Sequence, residues 1–93
     1  MDTFVSNIKC HFSGHVQGVG FRHQAFSIAK GFEITGYVKN LSDGRVELSI
    51  EGDKIEIHSY LDTLEEEMDV FITKVDKEEG ESKKRFKHFS ILA

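Results

Sequence analysis

The stretch Phe12-Ser-Gly-His-Val-Gln-Gly-Val-Gly-Phe-Arg22 separates two kinds of hydrophobic pattern. Before it, apolar or small residues recur at every second position, which predicts a first strand packed on one face. These positions are Phe4, Ser6, Ile8, Cys10 and Phe12. From Phe21 onwards, Ala25 and Ile28 follow at helical spacing, and Gly31 is placed to end a short amphipathic helix. The stretch therefore predicts a strand, a loop over residues 13–20 and a helix in immediate succession.

Three glycines, Gly14, Gly18 and Gly20, lie within this loop. Glycine readily adopts positive φ, which can turn successive backbone N–H groups toward one point. The helix that follows offers further N–H groups at its positive end, and Arg22 adds a guanidinium that suits a phosphate. A cation at a helix start is slightly unfavourable by itself, which favours an anionic partner. The loop is therefore interpreted as an anion cradle.

Two strands are predicted after the first helix, over residues 34–40 and 45–51. They flank Leu41-Ser-Asp-Gly44, in which Asp43-Gly44 can supply the positive φ of a hairpin connection. In the second strand, apolar residues alternate with residues that are expected to face outward. The apolar positions are Val46, Leu48 and Ile50, and the outward positions are Arg45, Glu47, Ser49 and Glu51.

A second helix and two late strands complete the predicted order. Asp53 followed by Glu56 resembles a helix cap at the start of an apolar stripe. That stripe comprises Ile55, Ile57, Leu61, Leu64 and Met68. Residues 70–76 and 86–92 are interpreted as strands joined by a charged loop around Gly80. The order is βαββαβ with a final strand, typical of an α+β fold of the ferredoxin-like kind.

Length and composition limit the protein's class. Its 93 residues predict a single domain over residues 1–93. The formal net charge of −4 argues against a nucleic-acid-binding surface, and no apolar run is long enough to span a membrane. The lone Cys10 cannot form an internal disulfide and is expected to be a buried thiol. A cytoplasmic protein is therefore expected.

Two spaced motifs resemble the acylphosphatase family. The first reads Gly14-x-Val16-Gln17-Gly18-Val19-x-Phe21-Arg22, and the second reads Gly36-Tyr37-Val38-Lys39-Asn40 followed by Gly44-x-Val46 and Gly52. The resemblance covers most of the chain and is strongest over residues 12–52. It implies a ferredoxin-like α/β sandwich, in which two helices cover one face of an antiparallel sheet. The order of strands within the sheet is left open. Phe12 and Tyr37 depart from the family pattern, but neither change removes a catalytic group.

The resemblance implies hydrolysis of acyl phosphates to a carboxylate and inorganic phosphate, without metal or cofactor. Arg22 matches the phosphate-binding arginine and Asn40 the asparagine that orients the attacking water. The expected phosphate-binding loop comprises His15, Val16, Gln17, Gly18, Val19, Gly20 and Phe21. A carboxylate is a good leaving group, so holding the phosphoryl group and placing water in line would suffice. Inorganic phosphate is expected to inhibit competitively, and the protein is expected to be a monomer.

Several alternatives stay open at this stage. Gln17 could touch substrate or brace the loop through backbone hydrogen bonds, and Asn40 could simply end a strand before a turn. A catalytically silent phosphate-binding module and a carbamoyl-phosphate hydrolase share the same motifs. An RNA-binding module is disfavoured because residues 45–51 carry neither stacking aromatics nor a basic tract. The five histidines show no compact metal-ligand spacing. They are His11, His15, His23, His58 and His88, of which His15 and His23 flank the loop.

Overall fold

The computed structural model describes residues 4–93, in which a five-stranded sheet is combined with two α-helices. In chain order the elements are β1 (Phe4–Gly14), α1 (Phe21–Ala29), β2 (Ile34–Asn40), β3 (Val46–Gly52), α2 (Lys54–Glu67), β4 (Ile72–Lys83) and β5 (Phe89–Leu92), with a short 3₁₀ turn (Asp69–Phe71) before β4. This order and the two-helix layer confirm the ferredoxin-like fold.

The strands are arranged in the order β4-β1-β3-β2-β5. β1 pairs antiparallel with both β3 and β4, and β2 pairs antiparallel with β3. The remaining pair, β2 with β5, corrects the expectation of an antiparallel sheet, because β5 runs parallel to β2. The parallel pair arises because the segment after β4 crosses from one edge of the sheet to the other before it turns into β5. The sheet is therefore mixed.

The core lies between the helices and one face of the sheet. Ile8, Cys10 and Phe12 of β1 are buried there, as the alternating pattern predicts, whereas Phe4 is 66% exposed. The buried Tyr60 hydroxyl donates to the Ala25 carbonyl at 2.8 Å and so links α2 to α1. Cys10 is buried, as predicted, and this burial raises the pKa of its thiol to about 12.

Two late boundaries differ from the prediction. Gly80 lies inside β4, opposite Asn7 of β1, and does not lie in a loop. The predicted strand over residues 70–76 therefore continues to Lys83. Its second half is not predicted from the sequence because β4 is an edge strand with mostly exposed side chains, so its backbone pairing leaves no apolar alternation there. Residues 84–88 form the crossover, and the final strand is shortened to Phe89–Leu92.

The start of α2 confirms one expectation and corrects another. Asp53 caps the helix by accepting a hydrogen bond from the Ile55 N–H at 2.8 Å. The Glu56 carboxylate accepts a hydrogen bond from the backbone N–H of Glu33 and so links α2 to the connection between α1 and β2. Ile55 was placed in the apolar stripe, but its side chain is 76% exposed. Two residues along a helix are about 200° apart, so Ile55 and the buried Ile57 cannot share a face.

The sheet face opposite the helices is partly covered by the crossover. Ser49 and Glu51 lie on this face, as the alternation predicts, yet they are only 2% and 1% exposed. One carboxylate oxygen of Glu51 accepts the backbone N–H groups of Arg85 and Phe86, both at 2.6 Å. The strand alternation is therefore correct, but the crossover buries residues on this face as well.

Gly36 packs where β2 approaches β3 most tightly. Its φ is +149°, and a Cβ at this position would overlap the Ser49 carbonyl oxygen. Gly44 in the hairpin also has positive φ, +95°, but open space around it.

We expect Gly36→Ala to lower the free energy of unfolding by more than about 2 kcal/mol and Gly44→Ala by about 1 kcal/mol, since only the first adds a backbone clash to conformational strain. Urea denaturation measures both, and equal losses would contradict the clash.

Glu47 is the basis of a pH-dependent prediction on the outer face. Burial by itself would raise its pKa, but hydrogen bonds from His11 at 2.9 Å and Tyr37 at 2.8 Å, with nearby Lys39, lower the pKa below its usual range. A carboxylate whose pKa is depressed on folding stabilises the fold fully above its unfolded pKa of about 4.3, and this contribution is lost as the pH falls further.

We therefore expect Glu47→Gln to destabilise the protein at pH 7 and the difference from wild type to shrink toward pH 3. Urea denaturation at several pH values measures this difference. Glu67→Gln is the control, because Glu67 is exposed near the end of α2. A difference that stays constant across the pH range would show that the charge of Glu47 is not involved.

Candidate active site

The loop over residues 15–20 has the backbone geometry that the glycines suggested. Gly18 and Gly20 have φ values of +78° and +79°, and no non-glycine residue among those described has a positive φ. A Cβ at either position would meet no atom within 4 Å. The conformation itself, and not lack of space, therefore requires glycine at these two positions.

The two ends of the loop are held together by aromatic packing. The rings of Phe12 and Phe21, both buried, lie 4.9 Å apart between centroids. Phe12 ends the buried part of β1 and Phe21 begins α1. The chain between them must therefore leave the sheet and return to the same place within eight residues.

Helix α1 begins without a side-chain cap. Gly20 occupies the N-cap position, no side chain accepts from the first turn, and the regular helical bonding begins with Gln24 N–H to the Gly20 carbonyl at 3.0 Å. Within residues 4–93, the backbone N–H groups of residues 15–20 donate none of the hydrogen bonds found between turns and loops. Free N–H groups at a helix start, with its partial positive charge, favour an anion.

A cavity of about 270 Å³ opens beside this helix start. It is lined by Gly18, Gly20, Phe21, Arg22, His23, Asn40 and Ile91. Arg22 comes from α1, Asn40 from the end of β2 and Ile91 from β5. The fold therefore brings both predicted catalytic residues to one cavity, although they are far apart in sequence.

Arg22 carries an available positive charge. One guanidinium nitrogen, Nη1, donates to the Leu92 carbonyl at 3.2 Å. Within the described part of the chain, no carboxylate forms an ion pair with Arg22. A guanidinium has five N–H donors, so donors remain for a ligand in the cavity.

Asn40 is the last residue of β2 and pairs with Val46 across the hairpin. Its carboxamide has no hydrogen-bond partner among the described residues, although the side chain is only partly exposed. A carboxamide can accept a hydrogen bond through its oxygen and donate two through its nitrogen. Asn40 can therefore hold a water molecule beside an anion without removing its proton.

Gln17 connects the loop to the β2–β3 hairpin. Its Nε2 donates to the Leu41 carbonyl at 2.8 Å and to the Arg45 carbonyl at 2.9 Å. Because Leu41 directly follows Asn40, these bonds tie the loop to the connection that carries Asn40. In this structure the side chain has the bracing contacts that were one of its two expected roles.

The other loop residues of the predicted set lie around the cavity in different ways. Val16 is fully buried in the core, His15 is exposed, and Val19 packs partly against the core. The side chains of His15, Val16, Gln17 and Val19 are outside the cavity lining, whereas Gly18, Gly20 and Phe21 belong to it. The lining also includes Ile91, which no sequence signal connected to the loop.

A larger cavity of about 380 Å³ lies elsewhere, between the start of α2 and the edge formed by β1 and β4. Its lining includes Lys54, His58 and Glu79, but His58 is already paired with Glu79 at 2.8 Å. It lacks the glycine loop and the open helix start, so the smaller cavity is the better candidate site.

Within residues 4–93, no group of three or more His, Cys, Asp and Glu side chains is placed to hold a metal ion. None of the helices in the same range is long and apolar enough to cross a membrane.

The chain is similar to known proteins in both sequence and architecture. The family model described as acylphosphatase matches residues 8–91. An acylphosphatase of Vibrio parahaemolyticus is 37% identical over 89 residues, which cover 92% of this chain and 99% of that protein. An acylphosphatase of Acaryochloris marina is 36% identical over 86 residues and 91% of each chain. The crystal structure of acylphosphatase from Bacillus subtilis superimposes with a TM-score of 0.85 at 29% identity, covering 95% of this chain and 99% of that chain.

The contacts of Gln17 lead to a prediction about stability. Gln17→Glu keeps the size of the side chain but replaces both N–H donors with a carboxylate that faces two carbonyl oxygens. We expect Gln17→Glu to lower the free energy of unfolding by at least as much as Gln17→Ala, about 1 kcal/mol or more. Urea denaturation at neutral pH measures both. If Gln17→Glu were as stable as wild type, Gln17 would only fill space.

Proposed function

Since the chain belongs to the acylphosphatase family and therefore hydrolyses acyl phosphates, we propose that Arg22, Asn40 and the backbone of residues 14–22 carry out the reaction. The observation that supports this most directly is that Arg22 and Asn40 line one cavity with Gly18 and Gly20. An open helix start meets there a guanidinium and a carboxamide, of which the first has no carboxylate partner and the second no hydrogen-bond partner among the described residues.

In the proposed mechanism the loop binds the phosphoryl group. Backbone N–H groups at the start of α1 and the guanidinium of Arg22 donate to its oxygens and spread their negative charge. Because these donors are held by the loop and by the Leu92 carbonyl, little reorganisation is needed as charge develops in the transition state. Gln17 positions the loop through its two hydrogen bonds to the β2–β3 connection.

Asn40 orients the water that attacks phosphorus. Its carboxamide oxygen accepts a hydrogen bond from the water while the water oxygen approaches phosphorus from the side opposite the leaving carboxylate, and both water protons stay on the phosphate that forms. The carboxylate leaves as an anion, since its conjugate acid has a pKa of roughly 4–5, and no general acid is required. The products are a carboxylate and inorganic phosphate, which occupies the same cradle and inhibits competitively.

The proposal extends to the form in which the protein works. We propose that residues 1–93 act as a single domain and as a monomer in the cytoplasm. The buried, unpaired Cys10 thiol is compatible with a reducing compartment. Sedimentation of the purified protein tests the monomer, and a dimer at micromolar concentration would contradict it.

The division of roles between Arg22 and Asn40 is testable with benzoyl phosphate in the presence of excess EDTA. We expect Arg22→Ala to lower kcat/KM by about 10²-fold or more and to weaken inhibition by phosphate in parallel. Asn40→Ala should lower kcat by a comparable factor while the inhibition constant of phosphate changes little, because the cradle stays intact.

Asn7→Ala is the matched control, since Asn7 bonds to Ser82 on the opposite face of the sheet. Asn7→Ala should leave kcat, kcat/KM and the inhibition constant of phosphate unchanged. Equal and small effects of Arg22→Ala and Asn40→Ala would refute the assigned roles. Phosphate binding by a folded wild-type protein without turnover would instead indicate the anion-binding module.

A further inference from the structure

Ile91 is a large aliphatic side chain that stays 42% exposed in the wall of the catalytic cavity. The rest of the lining is polar, small or already buried. It consists of Gly18, Gly20, Phe21, Arg22, His23 and Asn40, with Phe21 only 2% exposed. Ile91 therefore supplies the accessible aliphatic surface in a cavity that is otherwise suited to an anion.

The position of Ile91 is determined by the packing of β5. The ring of Phe89 in this strand packs against the rings of Phe26 and Tyr60, with centroids 6.3 Å and 6.1 Å apart. This packing anchors β5 to the helical layer. Ile91 lies two residues further on and pairs with Val38 of β2. Side chains two residues apart on a strand share a face, so Ile91 lies on the helix side of the sheet, beyond the point where the core ends.

We propose that Ile91 is a specificity-determining residue that packs against the acyl group of the substrate. It would make the enzyme favour acyl phosphates with apolar or aromatic acyl groups over small polar ones such as carbamoyl phosphate. This inference rests on the roles proposed above for Arg22 and Asn40. A carbamoyl NH₂ group gains no hydrogen-bond partner from an isoleucine side chain, whereas a phenyl or alkyl group loses contact with water there.

The spacing of the strands agrees with this assignment. Ile91 is level with Val38, which lies two residues before Asn40 on β2. Two residues along a strand and one strand spacing across separate Ile91 from Asn40 by roughly 8 Å between backbone positions. In-line attack places water and leaving group on opposite sides of phosphorus. A water at Asn40 and an acyl group at Ile91 can therefore lie on either side of a phosphoryl group bound between them.

The test compares two substrates that contain the same reacting group. Benzoyl phosphate has a large apolar acyl group, and acetyl phosphate adds only a methyl. We expect Ile91→Ala to lower the ratio of kcat/KM for benzoyl phosphate to that for acetyl phosphate by about threefold to tenfold, less than in an enclosed pocket because the wall is half open. The loss should appear mainly as a higher KM for benzoyl phosphate, since the contact is the same in ground and transition states.

Two further variants make the outcome decisive. Ile91→Thr keeps the β-branched shape that suits a strand, but it shortens the side chain and replaces part of the apolar surface with a hydroxyl group, so it should lower the ratio in the same direction even if Ile91→Ala loosens β5. Ile55→Ala is the matched control, because Ile55 is 76% exposed at the start of α2 and remote from the cavity. It should leave the ratio unchanged.

If the ratio of the two kcat/KM values is unchanged in both Ile91 variants, this inference is overturned. That holds also when activity on both substrates falls in proportion, in which case Ile91 has a structural role only. Neither result would affect the roles of Arg22 and Asn40, which are tested separately by phosphate inhibition. If Arg22→Ala leaves phosphate inhibition and turnover unchanged, the proposed mechanism fails whatever the selectivity of the Ile91 variants.

Discussion

The packing of Phe12 against Phe21 is the contact on which the site depends. With both rings buried and 4.9 Å apart, the end of β1 and the start of α1 are held together. The intervening chain adopts positive φ at Gly18 and Gly20 as it returns, and the N–H groups of residues 15–20 have no backbone partners among residues 4–93. The loop that is proposed to bind the phosphoryl group therefore forms where the hydrophobic core closes around these two aromatic rings.

Polar groups with few or no partners among the described residues are concentrated where this loop meets the sheet. Arg22 has no carboxylate partner in residues 4–93, the Asn40 carboxamide has none of any kind there, and α1 lacks a side-chain cap. Each of these arrangements lowers stability slightly relative to a paired alternative. Their coincidence in one cavity is typical of a site organised around its substrate. The stability lost there is offset by the core below it, where Tyr60 joins the two helices.

The crossover on the opposite face connects a buried carboxylate to this site. Glu51 holds the backbone of Arg85 and Phe86, and the His88 carbonyl then accepts the Gly36 N–H at 3.0 Å as β5 begins alongside β2. β5 in turn places the Leu92 carbonyl against Arg22 and Ile91 in the cavity wall. The last strand thus contributes to a site whose other residues all come from the first half of the chain.

The loop, both helices and the first three strands can be predicted from the sequence, because each has a local signal: a hydrophobic period, a glycine at a turn or a helix cap. The resemblance to acylphosphatases singled out Arg22 and Asn40, and their meeting in one cavity depended on the pairing of β2 with β3 and on the packing of α1. Four features follow from tertiary contacts instead: Gly80 lies in a strand, β5 runs parallel to β2, Glu51 is buried and Ile91 reaches the cavity. These features arise from backbone pairing at sheet edges and from a segment crossing a sheet face, and neither interaction imposes a repeating pattern on the side chains.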